Sequence, residues 1–289
     1  MIRQSPLVAL AGSSVFFAAM ALLARVEAAR GFDAAQLVFV RMGVGALACL
    51  ALFATGRAAW KIRRPLGLLA RGLFGSSAIL LFFFAITRLP VGEATLLNYT
   101  SPLFTTLFAA LFLGERPGPR PIAGLLVTLV GLALTVDASG GARFSWGLAA
   151  GFASAVMSGA AVATVRSLRK TEGPTMIFFV FCVVALALSG PLAAPGAHLP
   201  APRDVLPLLG VGVASTLAQL LFTEAMGYVS AVGAAVVSPL TPIAAYLLGA
   251  FFLGEPLTPR LGLGVLVAIG GVALGSLQPA ASAAAPALE

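Results

Sequence analysis

The chain has 289 residues, of which 60% are hydrophobic and only 10% charged, with a mean hydropathy of +1.02. A soluble domain is about a quarter charged and at most half apolar, so this composition excludes a soluble fold and points to a polytopic membrane protein. The net charge of +8 comes from 18 Lys and Arg against 10 acids. Because these cations sit mostly between apolar runs, they read as an orientation signal and not as a nucleic-acid surface.

In chain order there are ten apolar runs of about 20 residues, each enough to cross a bilayer core at about 1.5 Å per helical residue. The first five lie roughly at 6–25, 35–55, 66–88, 92–113 and 119–137. The second five lie roughly at 146–165, 174–194, 204–227, 232–253 and 259–277. Arg3 and the apolar stretch after it resemble a signal peptide. Residues 146–165 hold the same place in the second half, however, so the first run reads as a retained span. Cys49 and Cys182 fall mid-run and read as packing residues, not a disulfide. Trp60 and Trp146 fall at predicted membrane edges, where indoles prefer to sit. The Ala/Pro tail, 279–289, is expected to be disordered.

The chain is written twice. Residues 94–115, ATLLNYTSPLFTTLFAALFLGE, are answered in the second half by 234–255, AAVVSPLTPIAAYLLGAFFLGE. The offset is constant: Ser101-Pro102 answers Thr241-Pro242, Gly114-Glu115 answers Gly254-Glu255, and Pro119-Arg120 answers Pro259-Arg260. Between 107–134 and 247–274, 14 of 28 positions are identical without a gap. A repeat of this kind fixes the architecture. The unit is five spans long, and five is odd, so the second copy must insert upside down relative to the first. The expected fold is therefore an all-α polytopic membrane protein with ten transmembrane helices, built as two inverted five-helix repeats, 1–140 and 141–278. Inverted repeats of this type recur in secondary transporters, whose substrate site lies near the bilayer midplane where the repeats meet. Loop cations divide 10 on the N-terminal side and 6 on the other, with Arg41 and Arg71 inside spans. The positive-inside rule then puts both termini in the cytoplasm.

Each unit ends in an apolar helix, Gly-Glu, a short Pro-containing turn and a Gly-rich last helix (Gly124 and Gly131; Gly264 and Gly271). In this the chain resembles the EamA-type drug/metabolite transporters, and within them the YddG-type amino-acid exporters. The resemblance implies a central cavity lined mainly by helices 1, 3, 4, 6, 8 and 9, with helices 5 and 10 outside it. It also implies alternating access for small metabolites, often export of amino acids.

Polar side chains inside spans normally face the protein interior or water. In the fourth span Thr95, Asn98, Ser101 and Thr105 share one helical face, and positions 98 and 101 return in the ninth span as Ser238 and Thr241. Pro102 and Pro242 remove a backbone donor and loosen their helices, so they are candidate hinges. Tyr99 either stacks on a substrate or anchors packing. Ser13, Ser14 and Phe17 in the first span, with Ser154 and Ser158 in the sixth, are small patches at corresponding depths; close helix packing explains them equally well. In the eighth span Gln219 and Thr223 share a face, and Gln219 is the stronger cavity candidate. Among ionisable groups, Glu224 and Glu93 are possible proton sites. Arg41 either snorkels outward or closes a salt bridge. Glu115 and Glu255 end their spans where a carboxylate caps the next helix or pairs with Arg120 or Arg260.

Absences narrow the reading further. No Lys lies in any span, which disfavours phosphate-bearing substrates. The single histidine, His198, falls in a Pro-rich loop, and no HExxH, CxxC or paired-carboxylate motif occurs, so neither an enzyme nor a metal site is expected. The sequence thus predicts a cofactor-free, monomeric secondary transporter in the inner membrane, moving small polar metabolites and most often exporting amino acids. A proton-coupled drug/metabolite pump is the alternative, and a channel the weaker rival.

Overall fold

The computed structural model describes residues 6–86, 97–135, 146–196, 200–253 and 259–276. Among them every regular element is helical. The first half comprises α1 (Pro6–Ala29), α2 (Ala34–Ala54), α3 (Pro65–Ile86), α4 (Ser101–Leu113) and α5 (Pro119–Thr135). The second comprises α6 (Trp146–Leu168), α7 (Pro174–Ala193), α8 (Pro202–Ala225), α9 (Ala231–Val237), α10 (Leu240–Leu253) and α11 (Pro259–Ser276). Glu93, Thr95, Glu255, His198 and the 279–289 tail lie outside the described residues.

Seven stretches are long and apolar enough to cross a membrane, and 101–113, 119–134 and 262–275 are shorter apolar helices. Together they fall on the ten runs of the sequence. The protein is a multi-pass, all-helical membrane protein. Helix starts are set by local chemistry: α3, α5, α7, α8 and α11 each open on a proline, whose missing N–H is not needed in a first turn. Asp33 accepts the Gln36 N–H at 2.8 Å while Gln36 Oε1 accepts the Asp33 N–H at 2.9 Å, a reciprocal cap that starts α2. Gly114 (φ 67°) ends α4 in the left-handed region, where a side chain would be strained.

Two spans are not single helices. In the ninth, helix stops at Val237 and resumes at Leu240. In the fourth, Leu97 and Asn98 are helical, Tyr99 and Thr100 form a turn, and α4 begins at Ser101. The expected loosening at Pro102 and Pro242 is thus displaced: each proline sits in the first turn after the interruption. The reason is that a proline withholds its N–H from the carbonyl four residues back, at Asn98 and Ser238. The Ser238 carbonyl instead accepts from Thr241 N at 3.0 Å, a tighter turn.

Packing respects the offset of the repeat. α1 lies on α8 and α3 on α6; α3 lies on α7 and α2 on α8; α4 lies on α6 and α10 on α1. In each pair of contacts, exchanging every helix for its counterpart in the other copy turns one contact into the other. α2 meets α7, and α5 meets α11, its own counterpart. In that last contact backbones touch: a Cβ on Gly131 would lie 2.4 Å from Ala268 N and 2.7 Å from Gly264 O. One on Gly271 would lie 2.5 Å from Thr128 N and 2.7 Å from Gly124 O. These are the same contacts with the repeats exchanged. The α2–α7 core holds Val38, Met42, Phe178 and Phe181, with Cys49 and Cys182 buried as free thiols in accord with their expected packing role.

Candidate functional site

A cavity of about 60 Å³ opens where α1 and α8 meet the interruption between α9 and α10. Leu10, Ser13, Ser14 and Phe17 line it from α1, Phe222 from α8, and Val237, Ser238 and Thr241 from the broken span. Ser14 Oγ donates to Leu10 O at 3.1 Å and Ser238 Oγ to Ala234 O at 2.9 Å. Both hydroxyls therefore spend their proton on their own helix and keep lone pairs for a ligand's N–H groups.

At the corresponding place in the other repeat the helices are tied together. Ser14 and Ser238 map onto Ser154 and Asn98, and there Asn98 Nδ2 donates to Ser154 Oγ at 2.6 Å, tying the broken fourth span to α6. The same helices are drawn together at Gly159, where a Cβ would come within 2.5 Å of Phe104 Cβ. One half of the molecule thus holds a cavity and its counterpart a hydrogen bond.

Of the expected site residues, Ser13, Ser14, Phe17, Ser238 and Thr241 come together in the cavity. Asn98 bridges helices. Tyr99 packs on the Leu132, Ile243 and Ala268 cluster between α5, α10 and α11, away from the cavity. Gln219 and Thr223 are buried on α8, one turn apart and flanking Phe222, while Ser101 and Ser158 are half-buried. Glu224 pairs with Arg169 at 3.1 Å and is 46% exposed, so it sits at an edge.

Two electrostatic expectations need correction. Glu115 does not cap α5 or pair with Arg120. Its carboxylate faces Arg166 Nε at 3.3 Å and accepts from Ala231 N and Val232 N, so it caps α9 in the other repeat. Among the described residues Arg41 forms no salt bridge; its Nε donates to Ser215 Oγ across the α2–α8 contact. Sequence reasoning also missed Glu27, fully buried at the end of α1, which pairs with Arg30 at 2.7 Å; Arg30 in turn reaches Asp204 on α8 at 3.2 Å. The signal was available: Glu and Arg three apart in a last turn. Glu172 was missed as well. It accepts from the Arg63 and Arg64 N–H groups and so holds the start of α3 to the α6–α7 turn.

The profile of the EamA-like transporter family matches residues 4–137 and again 145–277. The chain belongs to the EamA-like transporter family. The two matched stretches are the two copies of the repeat. The pseudopaline exporter CntI of Pseudomonas aeruginosa is 33% identical over 233 residues, covering 80% of this chain and 81% of that one. The aromatic amino acid exporter YddG of Ancylobacter novellus is 32% identical over 152 residues, covering 50% and 52%. A riboflavin transporter of Rhizobium johnstonii is 29% identical over 210 residues, covering 72% and 68%. A crystal structure superposes with a TM-score of 0.80 at 22% identity, covering 96% of this chain and 98% of that one, which establishes the fold alone. This EamA-like protein is a membrane transporter of a small-molecule substrate.

Proposed function

We propose that this transporter exports small zwitterionic metabolites, amino acids foremost, across the inner membrane by alternating access between two inverted repeats. The observation that carries the reading is the inequality of its halves. Ser14 and Ser238 line a cavity, while Ser154 and Asn98, their counterparts, are hydrogen-bonded to each other. If two copies of one unit adopt different conformations, exchanging those conformations produces the opposite-facing state with no new interactions. Small hydroxyls at the interruption, with lone pairs free, suit the ammonium of a zwitterion. The aromatic amino acid exporter among the relatives supports amino acids as cargo. A second reading is favoured by the longer match to the pseudopaline exporter: a specialised metabolite in place of a free amino acid.

The test is efflux from proteoliposomes loaded with labelled amino acids, with and without a pH gradient, comparing wild type with Ser238→Val. Saturable, selective flux weakened by the variant is the expected result. Flux unaffected by the gradient assigns a facilitator, and gradient-driven flux the proton-coupled alternative. Fast unsaturable leakage overturns alternation in favour of a channel. Saturable efflux of other metabolites only overturns the amino-acid assignment.

A further inference from the structure

The least expected feature of the membrane interior is a pair of arginines that form no salt bridge among the described residues. Arg41 is the eighth residue of α2 and Arg71 the seventh of α3. Arg71 is only 6% exposed, and its Nε and Nη1 are buried without a hydrogen-bond partner. Its guanidinium does not turn back to the near end of its helix, where a snorkelling cation would go. It runs forward along α3 until Nη1 fills the space above Gly75, with Cζ 4.1 Å from the ring centroid of Phe181 on α7. Arg41 bonds Ser215 through Nε, which leaves its two terminal nitrogens for another acceptor. Both arginines flank one spot on α7. Gly45, one turn beyond Arg41, abuts Cys182, and Gly75, one turn beyond Arg71, abuts Phe181.

An unneutralised cation inside a span is costly and by default marks a pathway or a ligand. Here the repeat supplies its own control. In the second copy Phe181 stands at the position of Arg41 and Val211 at that of Arg71. The contact between Arg41 and Ser215 likewise becomes that between Phe181 and Gly75. The second copy thus carries no cation at either position, and both charges lie in one half of the molecule.

We propose that Arg41 and Arg71 form a carboxylate-binding station for the transported solute within the membrane. A guanidinium presents paired N–H groups that match a carboxylate's two oxygens, and two such forks with the Ser215 hydroxyl make a site for a compact anionic group. The station connects to the cavity along α8. Ser215, Gln219 and Phe222 follow at i, i+4 and i+7 on one face; Ser215 touches Arg41, Gln219 is buried between, and Phe222 lines the cavity. A solute with a carboxylate at one end and hydrogen-bonding groups at the other fits this line. The inference deepens the proposed transport function and rests on it, because the station lies on the solute's path.

The test uses the full-length protein in nanodiscs of phosphatidylcholine only, so that no anionic lipid competes. Thermal unfolding is followed during titration with succinate, with its neutral diamide, and with chloride at matched ionic strength. Succinate is expected to raise the unfolding temperature saturably, and the diamide and chloride to leave it unchanged. Arg41→Gln and Arg71→Gln should each weaken the succinate response at least roughly tenfold without lowering the unliganded midpoint. Arg71→Lys keeps the charge without the fork and should fall between; if the glutamine variants do not fold, this variant decides, and unchanged affinity overturns the proposal. An equal response in wild type and variants also overturns it, as does no response to succinate or an equal response to chloride. Amino-acid efflux is measured separately. Its failure with the succinate response intact removes the cargo assignment and leaves the station standing.

Discussion

Glu115 shows how one carboxylate couples the two halves of the protein. It closes the fourth span, yet its oxygens serve Arg166 on α6 and the first N–H groups of α9. The side chain is mostly shielded from solvent. Glu115→Ala leaves these donors without their acceptor and should cost about 1–3 kcal/mol, read as a lower thermal midpoint in detergent. Arg120→Ala, the partner expected from local sequence, should leave the midpoint unchanged; the reverse order would refute the assignment. The sequence shows that a carboxylate at the end of a span needs a cation or a helix end. It does not show that the cation comes from α6 in the other copy, because nothing local records which turn faces which. Asn98 was singled out as part of an inward polar face, but the partner it finds, Ser154, likewise lies in the other copy.

Where whole helices meet, much more was readable. Spans announce themselves by length and hydropathy, and the duplication fixes which helix answers which. The glycines of the last helix in each unit, part of the family pattern in the sequence, turn out to be where the two backbones touch, since small residues let helices approach closely. What could not be read was the interruption. Pro102 and Pro242 mark two helices as weakened, but the strain is relieved one turn earlier, at the carbonyls those prolines leave without a donor. The α5–α11 contact gives a sharp test. A side chain at Gly131 meets backbone atoms of α11, and backbone cannot swing aside. Gly131→Val should separate the helices and cost about 1–3 kcal/mol or more, seen as a lost or strongly lowered unfolding midpoint. Gly270→Val is the control on α11 itself, because nothing lies within 4 Å of a Cβ there. Its midpoint should match wild type; if both variants behave alike, close glycine packing does not hold this pair.

Taken as one object, the protein is a nearly symmetric frame occupied asymmetrically. The cavity by Ser14 and Ser238, the hydrogen bond between Asn98 and Ser154, and the arginines of the first copy all break the equivalence that the helix contacts preserve. Under the alternating access proposed above, this inequality is the state variable: one half opens as the other closes. Asn98→Ala deletes the bond that ties the fourth span to α6 and touches no residue lining the α1 cavity; under that proposal the bond belongs to the state in which the α6 side is closed. A neutral hydrogen bond is worth about 1 kcal/mol net, so the equilibrium should move about fivefold toward the state in which the α6 side opens. Cys49 and Cys182 are both buried, so a thiol reagent reports introduced cysteines against a quiet background. With Ser158→Cys, one turn beyond Ser154 on α6, the modification rate should rise about fivefold when Asn98→Ala is added, the ceiling set by the population shift. With Ser14→Cys in the α1 cavity, the same addition should lower the rate or leave it level. A rise at both positions would mean that the variant loosens the protein instead of tipping it. No change at either would mean that the Asn98–Ser154 bond does not hold one of the two states.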